Sequence, residues 1–334
     1  MKASMGSAQA IIQCGMPEFA ASLITWQRRH GRHGLPWQGG HDPYRVWLAE
    51  VMLQQTQVAA VIPYYQRFLA RFPDLEALAA ASQDEVLRLW SGLGYYARGR
   101  NLHAAARVVA ARGGFPRTAE GLAALPGIGR STAAAIAVFA FGRRAAILDG
   151  NVKRVLARRF GIDGDKAQWP LAESLLPARG LRAYTQALMD LGATVCTRAH
   201  PACERCPVAA RCIARREQRI GELPARRARR PLPLRRATWY VLLRAGRVLL
   251  ERRPGAGLWG GLWTFPERRP RGLGKLRRLA PLEHGFTHFR LRAQPLLGAG
   301  HKAAPGQAWL DLEAAVGAAV PAPVRSVLKG LLAA

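Results

Sequence analysis

Apolar residues recur at helical spacing over roughly the first two thirds of the chain, then give way to short β-type runs. From about Met16 to Ile213 the pattern predicts helices almost throughout. Ser82-Gln83-Asp84-Glu85 has the form of a capping box ahead of Val86, Leu87, Leu89 and Trp90. Thr118 to Ala124 is a short helix. Ser131 to Phe141, apolar on every side, is a buried one, and Val152 to Arg159 is amphipathic. No strand alternation precedes Arg235. Beyond it, Trp239 to Leu243 and Val248 to Leu250 read as two strands joined at Ala245-Gly246. Phe286 to Leu291 and Ala308 to Leu310 are further strands, and Val324 to Leu332 is a closing helix. Between the two patterns, Arg215 to Arg236 is dense in arginine, carries three prolines and has little apolar periodicity, as an exposed linker would. The expected organisation is a mainly α domain over 16–214, a basic linker over 215–236 and an α+β domain over 237–334.

Composition adds a partner. Of 334 residues, 50 are Lys or Arg and 21 are Asp or Glu, a formal charge of +29. An excess of that size suits a polyanion, because cations laid along phosphates release condensed counterions. The longest apolar run, Ala133 to Phe141, is too short to cross a bilayer, and the first residues lack the apolar stretch of a signal peptide. A cytoplasmic, nucleoid-associated protein with no membrane partner is expected. In such a compartment cysteines argue for metal ligation over disulfides.

Cys196, Cys203, Cys206 and Cys212 form C-x6-C-x2-C-x5-C, while Cys14 lies far from them. Four thiolates in so short a stretch suit an iron–sulfur cluster or a tetrahedral zinc, and the spacing alone leaves the metal open. Leu125-Pro126-Gly127-Ile128-Gly129-Arg130-Ser131-Thr132 sits between two helices. Gly127 and Gly129 permit a tight turn that opens into a helix N-terminus, where free N–H groups attract an anion. Such a turn holds DNA by a phosphate without reading its sequence. Asp149 follows an apolar stretch and precedes a helix, so by itself it reads as an N-cap. Glu50 sits among apolar residues on a helix, where a carboxyl needs a partner or a raised pKa. Glycosidic cleavage uses two carboxyl roles, one protonating the leaving group and one stabilising the sugar cation.

Together Glu50 to Val58, Gly92 to Leu102, Leu125 to Ala133, Ile147 to Arg158 and the four cysteines closely resemble adenine DNA glycosylases of the MutY type. These are helix–hairpin–helix enzymes related to endonuclease III. The resemblance spans about Leu35 to Ile213. It implies two helical lobes and a 4Fe–4S cluster rather than zinc. It also implies a monomer acting on double-stranded DNA with adenine opposite 8-oxoguanine or guanine. Glu50 would protonate the flipped adenine, Asp149 would stabilise the sugar cation and Asn151 would support that site. Trp37 and Gln186 would line the adenine pocket, with His33 where the family often has a basic residue. Gln54 and Tyr95 would wedge into the duplex, with Gln55 beside them, and Gly127, Gly129, Arg130 and Ser131 would meet the backbone. Ser131 stands where relatives of the endonuclease III type place a nucleophilic Lys. A hydroxyl forms no Schiff base and the Arg130 guanidinium stays protonated, so a monofunctional enzyme is expected. The alternative is an endonuclease III-like glycosylase/lyase for oxidised pyrimidines.

Residues 254 to 266 resemble the loop and strand of Nudix-like domains. The segment after them, Glu267 to Gly272, lacks the carboxylate run that would hold magnesium, so the domain should bind and not hydrolyse. In the MutY family a Phe-Ser-His loop recognises 8-oxoguanine. Phe286, Thr287 and His288 match it here, with Thr keeping the hydroxyl and adding a methyl.

Overall fold

The computed structural model describes residues 4–225, 231–255, 257–300 and 302–333, with side chains from residue 17 onward. Cys14 and part of the arginine-dense stretch, 226–230, therefore fall outside the described side chains. The helices run α1 (Ser4–His30), α2 (Pro43–Leu53), α3 (Val58–Arg71), α4 (Leu75–Ala80), α5 (Gln83–Trp90), α6 (Ala97–Ala111) and α7 (Ala119–Ala123). They continue with α8 (Arg130–Phe141), α9 (Gly150–Phe160), α10 (Asp165–Ser174), α11 (Leu181–Asp190) and α12 (Ile213–Arg216). Strands follow: β1 (Leu234–Arg244), β2 (Arg247–Arg252), β3 (Trp263–Thr264), β4 (Arg277–Arg278), β5 (Leu282–Gly285), β6 (Arg290–Ala299) and β7 (Gln307–Asp311). Two helices, α13 (Leu312–Gly317) and α14 (Ala322–Leu332), come last. Among the described residues no helix is long and apolar enough to cross a membrane.

The chain divides into two compact units. One comprises residues 1–55 and 108–228, the other 56–107 and 229–334. In the first, helix boundaries follow local chemistry. Asp42 caps α2 by accepting from the backbone N–H of Tyr44 at 2.8 Å, with Pro43 at the first helical position. Asp149 caps α9 by accepting from Val152 N–H at 2.8 Å. The core gathers Phe19, Leu23, Trp26, Ile147, Val152 and Leu188. Helix α8 buries every side chain from Ala133 to Ala140 except the half-buried Phe139, and Ala134 and Ala135 enter this core, as its apolar run predicts. After α12 the chain stays anchored: Leu223 is buried with Ala157 and Ala214, and its carbonyl accepts from Arg158 Nε at 2.9 Å. Apolar spacing was too sparse there for the sequence to signal that packing.

In the second unit Ser82 caps α5, accepting from Glu85 N–H at 3.2 Å as the capping box predicts. Phe68, Phe72 and Trp90 meet edge-on in its helical core. The sheet is mixed, with strand order β3-β2-β1-β6-β4. The pair β1 and β2 is the expected hairpin, Leu243 opposite Val248, and its turn holds Ala245 at φ 46°. Strands β1 and β6 run parallel over their length, Leu234 opposite Arg290 through Leu243 opposite Ala299. Strand β7 pairs with β2, and β5 pairs with β6. One expectation needs correction. Phe286 to Phe289 is not strand: β5 and β6 pair antiparallel with Gly285 opposite Arg290, so the residues between them form the connecting loop. Phe286 N–H closes it on the Phe289 carbonyl at 2.9 Å. Aromatic content mimicked β-propensity, but pairing geometry made the turn.

Candidate active site

Helix α2 carries Glu50 near its C-terminal end, packed against α8; Trp47, one turn earlier, is fully buried against Phe115. Glu50 keeps partial solvent access. Its carboxyl is nonetheless surrounded by protein, and burial first, the Asp149 charge second, push its pKa up to about 8. The two acids singled out from sequence are thus close enough to feel each other, although 99 positions separate them. At neutral pH Glu50 holds a proton. Asp149 instead caps α9, its Oδ1 accepting from the Val152 N–H. The fold therefore brings a carboxyl with a raised pKa and a helix-capping carboxyl into one place.

The segment before Asp149 is fixed by the hairpin helix: Ser131 Oγ accepts from Leu148 N–H at 3.0 Å. Asn151 is held from the other side. Its Oδ1 accepts from Arg154 Nη2 at 2.8 Å, and the same guanidinium donates to the carbonyls of Gly192 at 2.6 Å and Cys196 at 2.7 Å. Gly192 lies in the π-helical turn Leu191–Val195, where a Cβ would stand 2.6 Å from Asn151 Cβ. Only glycine permits that approach. Arg154 was not foreseen. Its place one turn after Asn151 on the amphipathic α9 was the available signal.

The hairpin is built as the two glycines predicted. Gly127 adopts φ 76°, while Leu125 and Ile128 bury their side chains beneath the turn. Gly129 begins α8 without a side-chain cap, and the space around its missing Cβ is open. The first N–H groups of α8 are left for an anion. Gln54 Nε2 donates to Thr132 Oγ1 at 3.2 Å, so the predicted wedge residue lies along this hairpin. Gln55 beside it is exposed with φ 55°, a strained position for a side-chain-bearing residue. Arg130 stacks on Trp169 at 3.8 Å and pairs with Glu173 at 2.6 Å.

Gln186 Nε2 donates to Asp190 Oδ1 at 2.9 Å. Asp190 is wholly buried and also accepts from Arg32, at 2.6 Å from Nε and 2.9 Å from the backbone N–H. Arg32 and Asp190 thereby fix Gln186 and the loop leading to Trp37, a role that sequence reasoning missed. The partners lie 158 positions apart, and no local pattern announces them. His33 is exposed, its Nε2 2.9 Å from the Gln27 carbonyl.

Cys196, Cys203, Cys206 and Cys212 line one pocket with Arg158, Arg215 and Ile220. Cys206 is pushed up to about 11 by burial and by the other three thiols, with a backbone N–H at Val208 opposing; Cys203 is also raised, first by burial. Thiols that repel one another as thiolates suit a shared cationic centre. Among the described residues no group of three or more Cys, His, Asp or Glu side chains is arranged to hold a metal ion. Arg158, almost wholly buried, ties this loop down by donating to Thr197 O at 2.7 Å and Arg198 O at 3.0 Å.

Within the second unit, Tyr95 is 47% exposed at φ 47°. Arg98 supports its loop by donating to Thr56 Oγ1 at 3.0 Å and to Gly94 O at 3.3 Å. It lies over the Trp90 and Tyr95 rings, and burial lowers its pKa to about 10. Tyr95 Oη stands 3.3 Å from Thr287 Oγ1, so the predicted wedge and the predicted recognition loop meet. Phe286 stacks on Phe289 at 4.4 Å and packs against Trp259 and His284, while His288 is exposed.

Known proteins resemble this chain in both of its parts. Residues 48–176 match the HhH-GPD superfamily of base excision DNA repair proteins, and residues 238–330 match the NUDIX domain. The chain is 34% identical over 298 residues to the adenine DNA glycosylase of Buchnera aphidicola subsp. Baizongia pistaciae, covering 83% of this chain and 85% of that one. It is 35% identical over 401 residues to the human adenine DNA glycosylase, covering 93% and 73%. Among solved structures, a thermostable thymine-DNA glycosylase aligns at 30% identity with a TM-score of 0.57, covering 61% of this chain and 98% of its own. The helical glycosylase fold, the Nudix-like sheet domain and the extended identity converge: the chain belongs to the adenine DNA glycosylases.

Proposed function

We propose that this DNA N-glycosylase removes adenine paired with 8-oxoguanine or guanine in duplex DNA, without cutting the strand. The observation that carries the chemistry is the pair Glu50 and Asp149, one held neutral and one poised as an anion. Glu50 donates a proton to a ring nitrogen of the extruded adenine, making it a neutral leaving group. Asp149 faces the positive charge that develops on the sugar, and Asn151, fixed by Arg154, supports it. Gln186, set by Asp190, meets the base edge, with Trp37 beside it. The open N-terminus of α8 takes a backbone phosphate. Gln54 in the first unit and Tyr95 in the second each act as a wedge between base pairs. Tyr95, Thr287, Phe286 and His288 read the opposite base, and the Tyr95–Thr287 contact supports that assignment. Ser131 supplies no amine for a Schiff base. Its hydroxyl already serves Leu148 N–H, which supports monofunctional cleavage.

The four cysteines fit a 4Fe–4S cluster: four thiols line one pocket, with Arg158 and Arg215 alongside. Such a cluster supplies a rigid cross-link and no chemistry to the base. The protein's own part is to hold the loop, through Arg158, and to pass its position to Asn151, through Arg154.

The test is single-turnover base release from duplexes carrying adenine opposite 8-oxoguanine, adenine opposite guanine, or thymine glycol, each read with and without alkali. Fast release from the first, with breaks only after alkali, is expected. Breaks at thymine glycol without alkali would overturn the assignment.

A further inference from the structure

The second unit contains a basic pocket that the adenine chemistry does not use. It has a volume of about 330 Å³, and its lining includes Arg67 of α3, Arg88 of α5, Ser91, and Arg325 and Lys329 of α14. Four cations from three helices converge on it, and no carboxylate lines it. The two acids of α5 are engaged elsewhere, Asp84 with Arg252 and Glu85 with Arg71. Like charges gathered without counterions repel one another, so the arrangement favours an anion.

The geometry is fixed from behind. Arg325 Nη2 donates to Ser91 Oγ at 2.9 Å and to Ala318 O at 3.1 Å, and Ser91 is itself buried and bonded to the Val320 carbonyl. Arg325 Nε, by contrast, is buried with no hydrogen-bond acceptor among the described residues. A buried donor left unmet leaves the Arg325 charge incompletely compensated from behind, which adds to the positive potential of the pocket. Arg67 lies over the Tyr64 ring at 4.5 Å, which orients its fork of donors. Arginine forks match the tetrahedral oxygens of phosphate better than scattered lysines do. None of these residues belongs to the Tyr95–Thr287 cluster.

We propose that this pocket binds a phosphate group, either a backbone phosphate of DNA or the phosphate of a small soluble polyphosphate. Its test uses the full chain with Arg67→Gln, Arg88→Gln and Lys329→Gln combined; all three are exposed and none caps a helix or fills the core. Arg325 is left intact to protect the Ser91 contact. An unliganded melting temperature at or above that of the wild type certifies the fold. Two responses are read. One is the melting shift given by inorganic pyrophosphate, against sulfate at matched ionic strength. The other is the slope of log Kd against log salt for a duplex without a lesion. Each lost phosphate contact lowers that slope by about 0.9, so a fall of about 1 is expected if DNA is the source. Loss of the pyrophosphate shift with an unchanged slope identifies a soluble polyphosphate instead. If neither response differs between variant and wild type, the proposal fails. It fails equally if a poly-glutamate peptide shifts only the wild type while pyrophosphate shifts neither, which would make the pocket a dock for an acidic protein. None of these readouts requires adenine release, so the result stands apart from the catalytic assignment.

Discussion

Replacing Glu50 by Gln should stabilise the protein, increasingly so as pH rises from 5 to 8. A carboxyl whose pKa is raised from 4.5 to about 8 keeps a proton in the native state that the unfolded chain has already released. The sign follows. Stability from this group is fully present below about 4.5, declines across the window, and is lost above about 8. Each pH unit in the window costs the native state about 1.4 kcal/mol, so the linkage at pH 7 is about 3 kcal/mol. Partial solvent access at Glu50 screens some of this, leaving about 1–2 kcal/mol. Glutamine cannot ionise and escapes the penalty while keeping the shape. The assay is the difference in melting temperature between variant and wild type, measured without DNA at pH 5, 6, 7, 8 and 9. A difference near zero at pH 5 that grows to about 2–6 °C by pH 8 and then levels off is expected. A difference independent of pH, or one that shrinks as pH rises, would refute a buried, neutral Glu50. The same measurement separates site strain from catalysis, because the variant should lose base release while gaining stability.

Because catalysis requires Glu50 protonated, single-turnover release should fall about tenfold per pH unit above about 8; a flat or rising profile between pH 7 and 9.5 would remove Glu50 as the acid. Gly192→Ala places a Cβ 2.6 Å from Asn151 Cβ, so the rate should drop about 10–100-fold while duplex affinity stays near wild type. Arg154→Lys keeps the charge but cannot reach the Asn151, Gly192 and Cys196 oxygens together; it should slow release about tenfold or more and raise the alkylation rate of the four cysteines. Asp190→Asn leaves the Arg32 guanidinium without its carboxylate, and expected losses are about 3 kcal/mol in stability and a weakened grip on adenine through Gln186, read by thermal melting and single-turnover titration.

Sequence alone determined the features whose physics is local. The caps at Ser82 and Asp149, the turn at Gly127 and the hairpin at Ala245 each follow from a few neighbouring residues, and each stands where it was expected. The cysteine spacing and the two acids were visible as candidates in the sequence, but their roles, and the meaning of Ser131, came through the resemblance to a known family rather than from local physics. Tertiary structure decided what depends on distant partners. The raised pKa of Glu50 needs burial and a carboxylate 99 positions away. Asp190 holds Arg32 across 158 positions, Tyr95 meets Thr287 across 192, and Ser91 bonds Val320 across 229. Phe286 looked like a strand residue until pairing of Gly285 with Arg290 made it a loop residue. Periodicity encodes which face of an element is apolar; it does not encode which other element covers that face, and the site's electrostatics arise only when that choice is made.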